Sequence, residues 1–106
     1  MRLSKKEVQT LTSAFASCLA GIEYTLYLFG SRIDDLKKGG DIDLLCVVSS
    51  EEKENVINMK SRIRRDMFRI IPEQKIDITV ATKEELKTDE FLQSVLNQAV
   101  ILDSRR

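Results

Sequence analysis

The segment Asp41 to Val48, DIDLLCVV, constrains the fold of this chain more than any other stretch. Its last five residues, Leu44-Leu45-Cys46-Val47-Val48, are apolar at consecutive positions, so an extended chain here must bury both of its sides. A strand of that kind lies in the middle of a sheet with a layer packed on each face.

The flanking patterns supply those layers. Ser4 and Glu7 have the spacing of a capping box, and Leu3 and Val8 that of a hydrophobic staple. Val8, Leu11, Phe15, Leu19 and Ile22 then recur every three or four residues, which predicts a helix from about Lys5 to Ala20, stopped by Gly21. Tyr24 to Phe29 reads as a strand ended by Gly30-Ser31. Ser49 and Glu52 repeat the capping-box pattern ahead of a helix from about Ser50 to Arg69, with Val56, Met59, Ile63, Met67 and Ile70 on its core stripe and Pro72 beyond its end. Lys75 to Val80 alternates, with Ile76, Ile78 and Val80 on one face and Lys75, Asp77 and Thr79 on the other. Thr82 and Glu85 open a short helix, Asp89 to Leu96 forms another, and Ala99 to Leu102 suits a terminal strand. The expected fold is α/β (α+β), a small mixed sheet of three to four strands flanked by helices, forming a single domain over residues 1–106.

Composition narrows the chemistry. The chain has 17 Lys+Arg, 17 Asp+Glu and no His, which excludes a His general base, a Ser-His-Asp triad and a His-ligated zinc. A formal net charge of zero removes the broad positive field of a nucleic-acid-binding module. Cys18 and Cys46 lack CxxC spacing and sit in apolar surroundings, so buried, reduced thiols are expected. No apolar run approaches the ~18 residues of a membrane span. The charged start, with no apolar core behind it, is not read as a signal peptide. The expected location is the cytoplasm.

Catalysis on such a chain runs on carboxylates, hydroxyls, Lys, Arg, or a hard metal held by oxygen. Asp41 and Asp43, two apart on a strand, project from one face, and Asp77 occupies the polar face of a later strand. Were those strands neighbours, three carboxylates would converge, a repulsive cluster that divalent cations resolve. Three carboxylates can serve two ions ~3.5–4 Å apart, an arrangement suited to in-line displacement at phosphorus. Gly30-Ser31-Arg32 at the end of the preceding strand offers a close backbone approach and a hydroxyl for phosphate oxygens. Antiparallel pairing of the two strands would bring Ser31 and Asp41 together across nine intervening residues.

The run LFGSR, then DIDLLCVV, then KIDITV resembles the signature of the DNA polymerase beta-like nucleotidyltransferase superfamily, most closely its minimal single-domain members, often paired with HEPN proteins. The resemblance covers about Tyr24 to Thr82 and implies a polymerase beta palm-like sheet. It implies that Gly30 and Ser31 hold the triphosphate, joined by Arg32, that Asp41 and Asp43 bind two Mg²⁺ ions, and that Asp77 binds the second metal and helps deprotonate the acceptor. The implied reaction moves a nucleoside monophosphate from ATP or another NTP to a hydroxyl. The implied partner is a HEPN-family toxin, with adenylylation of a tyrosine, or else binding to that toxin without catalysis. A second copy of the chain is a further candidate partner. Asp34-Asp35 stands where many members carry Arg-Gly or Lys-Gly, and Lys37 or Lys38 is available to replace that charge.

Plainer readings stand beside these. Asp41 and Asp43 also suit a solvated strand end, and Asp77 a charged edge strand. Arg32 suits a phosphate contact or a pair with Asp34 or Asp35. Arg62, Arg64, Arg65 and Arg69 read best as a solvated helix face near a C-terminus.

Overall fold

The computed structural model describes residues 4–30, 42–69 and 75–105. Helix α1 (Lys5–Cys18) leads into strand β1 (Tyr24–Phe29), and β2 (Ile42–Val48) precedes α2 (Lys53–Phe68). Strand β3 (Ile76–Thr82), helices α3 (Lys83–Thr88) and α4 (Glu90–Gln98), and strand β4 (Val100–Arg105) complete the order.

The four strands form one sheet in the order β3-β2-β1-β4. β1 pairs antiparallel with both β2 and β4. β2 pairs parallel with β3, and α2 provides the long crossover that parallel neighbours need. β2 is therefore central, as its double-sided apolar run requires, and it is buried at every position but Asp43.

The sheet's two faces bury different helices. Leu26, Leu28, Ile42, Leu44, Cys46, Val48, Ile76, Ile78 and Val80 share a core with Leu11 and Phe15 of α1 and with Val56, Ile63 and Met67 of α2. Leu45, Val47 and Ala81 turn to the other face and pack with Leu92 and Val95 of α4, with Tyr27, Phe29 and Leu86 alongside. Each fully buried side chain of this size contributes about 1.5–3 kcal/mol relative to exposure.

Helix boundaries follow local chemistry. In α1 the Glu7 amide donates to Ser4 Oγ at 3.1 Å and the Ser4 amide to Glu7 Oε1 at 3.1 Å, the expected capping box. Leu19 caps its other end and Gly21, at φ 82°, turns the chain away. The second expected box does not form. The Glu52 amide donates to the Ser49 carbonyl at 3.1 Å, making a turn, so α2 begins at Lys53 with Glu52 as an N-cap that makes no side-chain cap bond. Thr82 and Glu85 do box the start of α3, and Asp89 ends α3 and caps α4 through the Leu92 amide at 3.1 Å. β4 runs on to Arg105, past the expected end at Leu102, because its pairing with β1 resumes beyond a bulge opposite Leu26 and Tyr27. Cys46 is fully buried, but Cys18 is only half-buried, its thiol donating to Asp66 Oδ2 at 3.6 Å. Leu3 and Ile70 lie outside the described residues. Among the described residues no helix is long and apolar enough to cross a membrane.

Candidate active site

One end of the sheet gathers the chemistry. The parallel register sets Asp43 directly opposite Asp77, and the antiparallel register sets Phe29 opposite Asp43. Directly paired residues project from the same face of a sheet. Asp43 and Asp77 therefore share the face that carries Leu45 and Val47, while Ile42 and Ile76 point into the core behind them. Both carboxylates are half-buried. The parallel register puts Asp77 on the strand next to Asp43, and the alternation read from KIDITV puts it on the same side.

Gly30 follows Phe29 and closes the group. Its φ of 81° lies in the left-handed region that favours glycine. A Cβ at this position would overlap Asp43 Oδ2 and lie 3.1 Å from Asp43 Cγ and 3.3 Å from its Cβ. The Gly30 backbone is packed directly against the carboxylate, so this glycine makes room for Asp43 as well as turning the chain. Ser31, Arg32 and Asp41 lie outside the described residues.

The donor set suits a hard divalent cation: carboxylate oxygens on adjacent strands, with no imidazole anywhere in the chain. Among the described residues no group of three or more such donors is assembled, since Asp43 and Asp77 are the two expected carboxylates found there. A thiol nucleophile has no place in this site. Cys46 sits on the same strand but on the opposite face, and burial pushes its pKa up to about 12.

A depression of about 270 Å³ is lined by Arg64 and Phe68 of α2 and by Lys75, Ile76 and Asp77 at the start of β3. Helical periodicity reads Arg64 as solvated helix surface and gives no signal at Phe68. Arg64 is exposed and Phe68 is 60% exposed. No periodicity argument finds this feature, because it depends on where the last turns of α2 fall relative to the start of β3. The larger cavity, about 630 Å³ near Tyr24, Ser49, Lys83 and Arg105, lies at the opposite end of the sheet.

Comparison with known proteins bears on the family and the fold. A family profile described as a nucleotidyltransferase domain matches residues 13–102. A solved structure from Sulfolobus solfataricus, described as a nucleotidyltransferase, superposes with a TM-score of 0.56 over 95% of this chain and 86% of that one, at 19% identity. At that identity the likeness speaks to the fold. No curated protein matches the sequence.

Proposed function

Because the chain belongs to the nucleotidyltransferase domain family, we propose that residues 1–106 act as one domain that moves a nucleoside monophosphate, AMP from ATP, onto a hydroxyl of a partner protein. The observation that carries this reading is the Asp43–Asp77 register with Gly30 packed against Asp43. Paired carboxylates on adjacent strands offer the oxygen ligands that a metal-bound triphosphate takes.

In this reading Asp41, Asp43 and Asp77 hold two Mg²⁺ ions, and Gly30, Ser31 and Arg32 hold the triphosphate. When bound, the ions supply charge neutralisation of the triphosphate and of the leaving pyrophosphate. Asp77 accepts the proton of the attacking hydroxyl and passes it to water. The hydroxyl oxygen bonds to the α-phosphorus, the bond from that phosphorus to the β-phosphate oxygen breaks, and pyrophosphate leaves. The Gly30-Ser31 amides and the Ser31 hydroxyl stabilise charge on the phosphate oxygens.

The partner in this reading is a HEPN-family protein in the cytoplasm, modified on a tyrosine. The test incubates the protein and Mg-ATP with the product of the neighbouring gene and reads intact mass. Added mass equal to AMP, lost in Asp43→Asn and Asp77→Asn, supports transfer. Growth rescue by co-expression that survives loss of all three aspartates, without added mass, supports a non-catalytic antitoxin.

A further inference from the structure

We propose that the outer face of α2 around residues 60–65 is a docking surface for a partner protein, and that it takes an acidic, amphipathic segment. The inference does not rest on the transfer reading, because it concerns the side of the sheet away from the paired carboxylates.

Charge sets this face apart. Lys60, Arg62, Arg64 and Arg65 fall in a run of residues that holds no acid, and none of them forms an ion pair among the described residues. The three arginines are exposed and Lys60 is half-exposed. The next acid along the helix, Asp66, is half-buried and accepts from the Cys18 thiol at 3.6 Å. Helix α1, which shares a core with α2, adds exposed Lys5 and Lys6 against Glu7, whose carboxylate accepts from the Ser4 amide. Helical spacing alone reads the arginines as solvated. The fold adds that the helix packed beside them brings cations rather than a free carboxylate.

An apolar contact lies within this surplus. Ile57 is 42% exposed, and Lys60, Ser61 and Arg64 follow it at three, four and seven residues, on the same side of the helix. That pattern favours a protein segment, in which carboxylates pair with the guanidinium groups and an apolar side chain covers Ile57. A nucleic-acid backbone is the poorer fit. The cationic run rises only about 8 Å along the helix. Glu51, Glu52 and Glu54 stand at the other end of α2, where a continuous polyanion meets like charge.

The position leaves the candidate active site open. α2 packs on the sheet face of Leu44 and Cys46, whereas Asp43 and Asp77 share the face of Leu45 and Val47. A segment held on α2 and a nucleotide held by the carboxylates therefore bind independently.

Fluorescence anisotropy tests this with three labelled probes of equal net charge: an amphipathic Glu/Leu peptide, a Glu/Ser peptide and a single-stranded oligonucleotide. The Glu/Leu peptide is expected to bind about 10-fold more tightly than either of the others, and less tightly as salt rises. Arg62→Gln with Arg65→Gln, and separately Lys60→Gln with Arg64→Gln, are each expected to weaken it about 10-fold. Circular dichroism melts verify that each variant is folded. Lys87→Gln, at an exposed position of α3, and saturating Mg-ATP are both expected to leave peptide binding unchanged. Equal binding of the Glu/Ser peptide, tighter binding of the oligonucleotide, or unchanged affinity in both double variants overturns the inference. Displacement of the peptide by Mg-ATP overturns it as well. A protein that binds the peptide but not Mg-ATP supports the inference and overturns the transfer reading alone.

Discussion

Gly30 ties backbone conformation to the position of a carboxylate. Replacing it with alanine asks an L-residue to hold φ near 81° and drives a methyl into Asp43. Gly30→Ala is expected to lower stability by about 1–2 kcal/mol in urea titration and to weaken Mg-ATP binding at least about 10-fold, since Asp43 must shift. Asp77→Asn takes away one of the two paired carboxylates, so stabilisation by Mg-ATP is expected to be lost in thermal melts. Strand alternation made the side on which Asp43 and Asp77 project legible, whereas their pairing follows from the parallel register of β2 and β3, which the sequence leaves open. The contact between Gly30 and Asp43 was not legible: the sequence shows that glycine tolerates a turn, but not which side chain fills the space. Cys46, with its pKa raised to about 12 by burial, is expected to resist thiol reagents at pH 8 until the protein unfolds.

Among the elements, β2 was the most readable, because five consecutive apolar residues admit few positions other than the centre of a covered sheet. The start of α2 was misread for a definite reason. Ser49 and Glu52 have box spacing, but the Ser49 carbonyl is used in a turn, and helical geometry begins only at Lys53. Lys53 then reaches across to Glu85, with Nζ 2.8 Å from Oε1, and joins α2 to the start of α3. The hydrogen bond from Lys53, helped by the Thr82 amide, holds the Glu85 carboxyl below its ordinary value of 4.5. A lowered native value means the contribution is complete above pH 4.5 and disappears as pH falls through the native value. Glu85→Gln is therefore expected to cost about 0.5–1 kcal/mol at pH 7, reduced by solvent because both side chains are partly exposed, and nothing measurable at pH 2. Urea titrations at the two pH values read the difference. The Arg64–Phe68 wall stayed hidden because helical periodicity separates buried from exposed positions without saying which exposed ones border a strand edge.

The molecule as a whole divides its labour between two faces of one sheet. The α1–α2 face carries the larger core, and Leu44, fully buried in the central strand, belongs to it. Leu44→Ala is expected to cost about 3 kcal/mol in denaturant titration, a large share of the stability of a domain this size. The other face, only partly covered by α3 and α4, leaves Asp43 and Asp77 half-buried at one end. The two paired carboxylates thus stand beside a glycine turn at the margin of a well-packed domain. Isothermal titration of Mg-ATP into the protein and into Asp43→Asn and Asp77→Asn decides whether those charges are there for a nucleotide. The account predicts saturable, magnesium-dependent heat for the native chain and a loss of at least about 10-fold in affinity for each variant. Binding that is absent from the native chain, or unchanged when both aspartates are replaced, contradicts it.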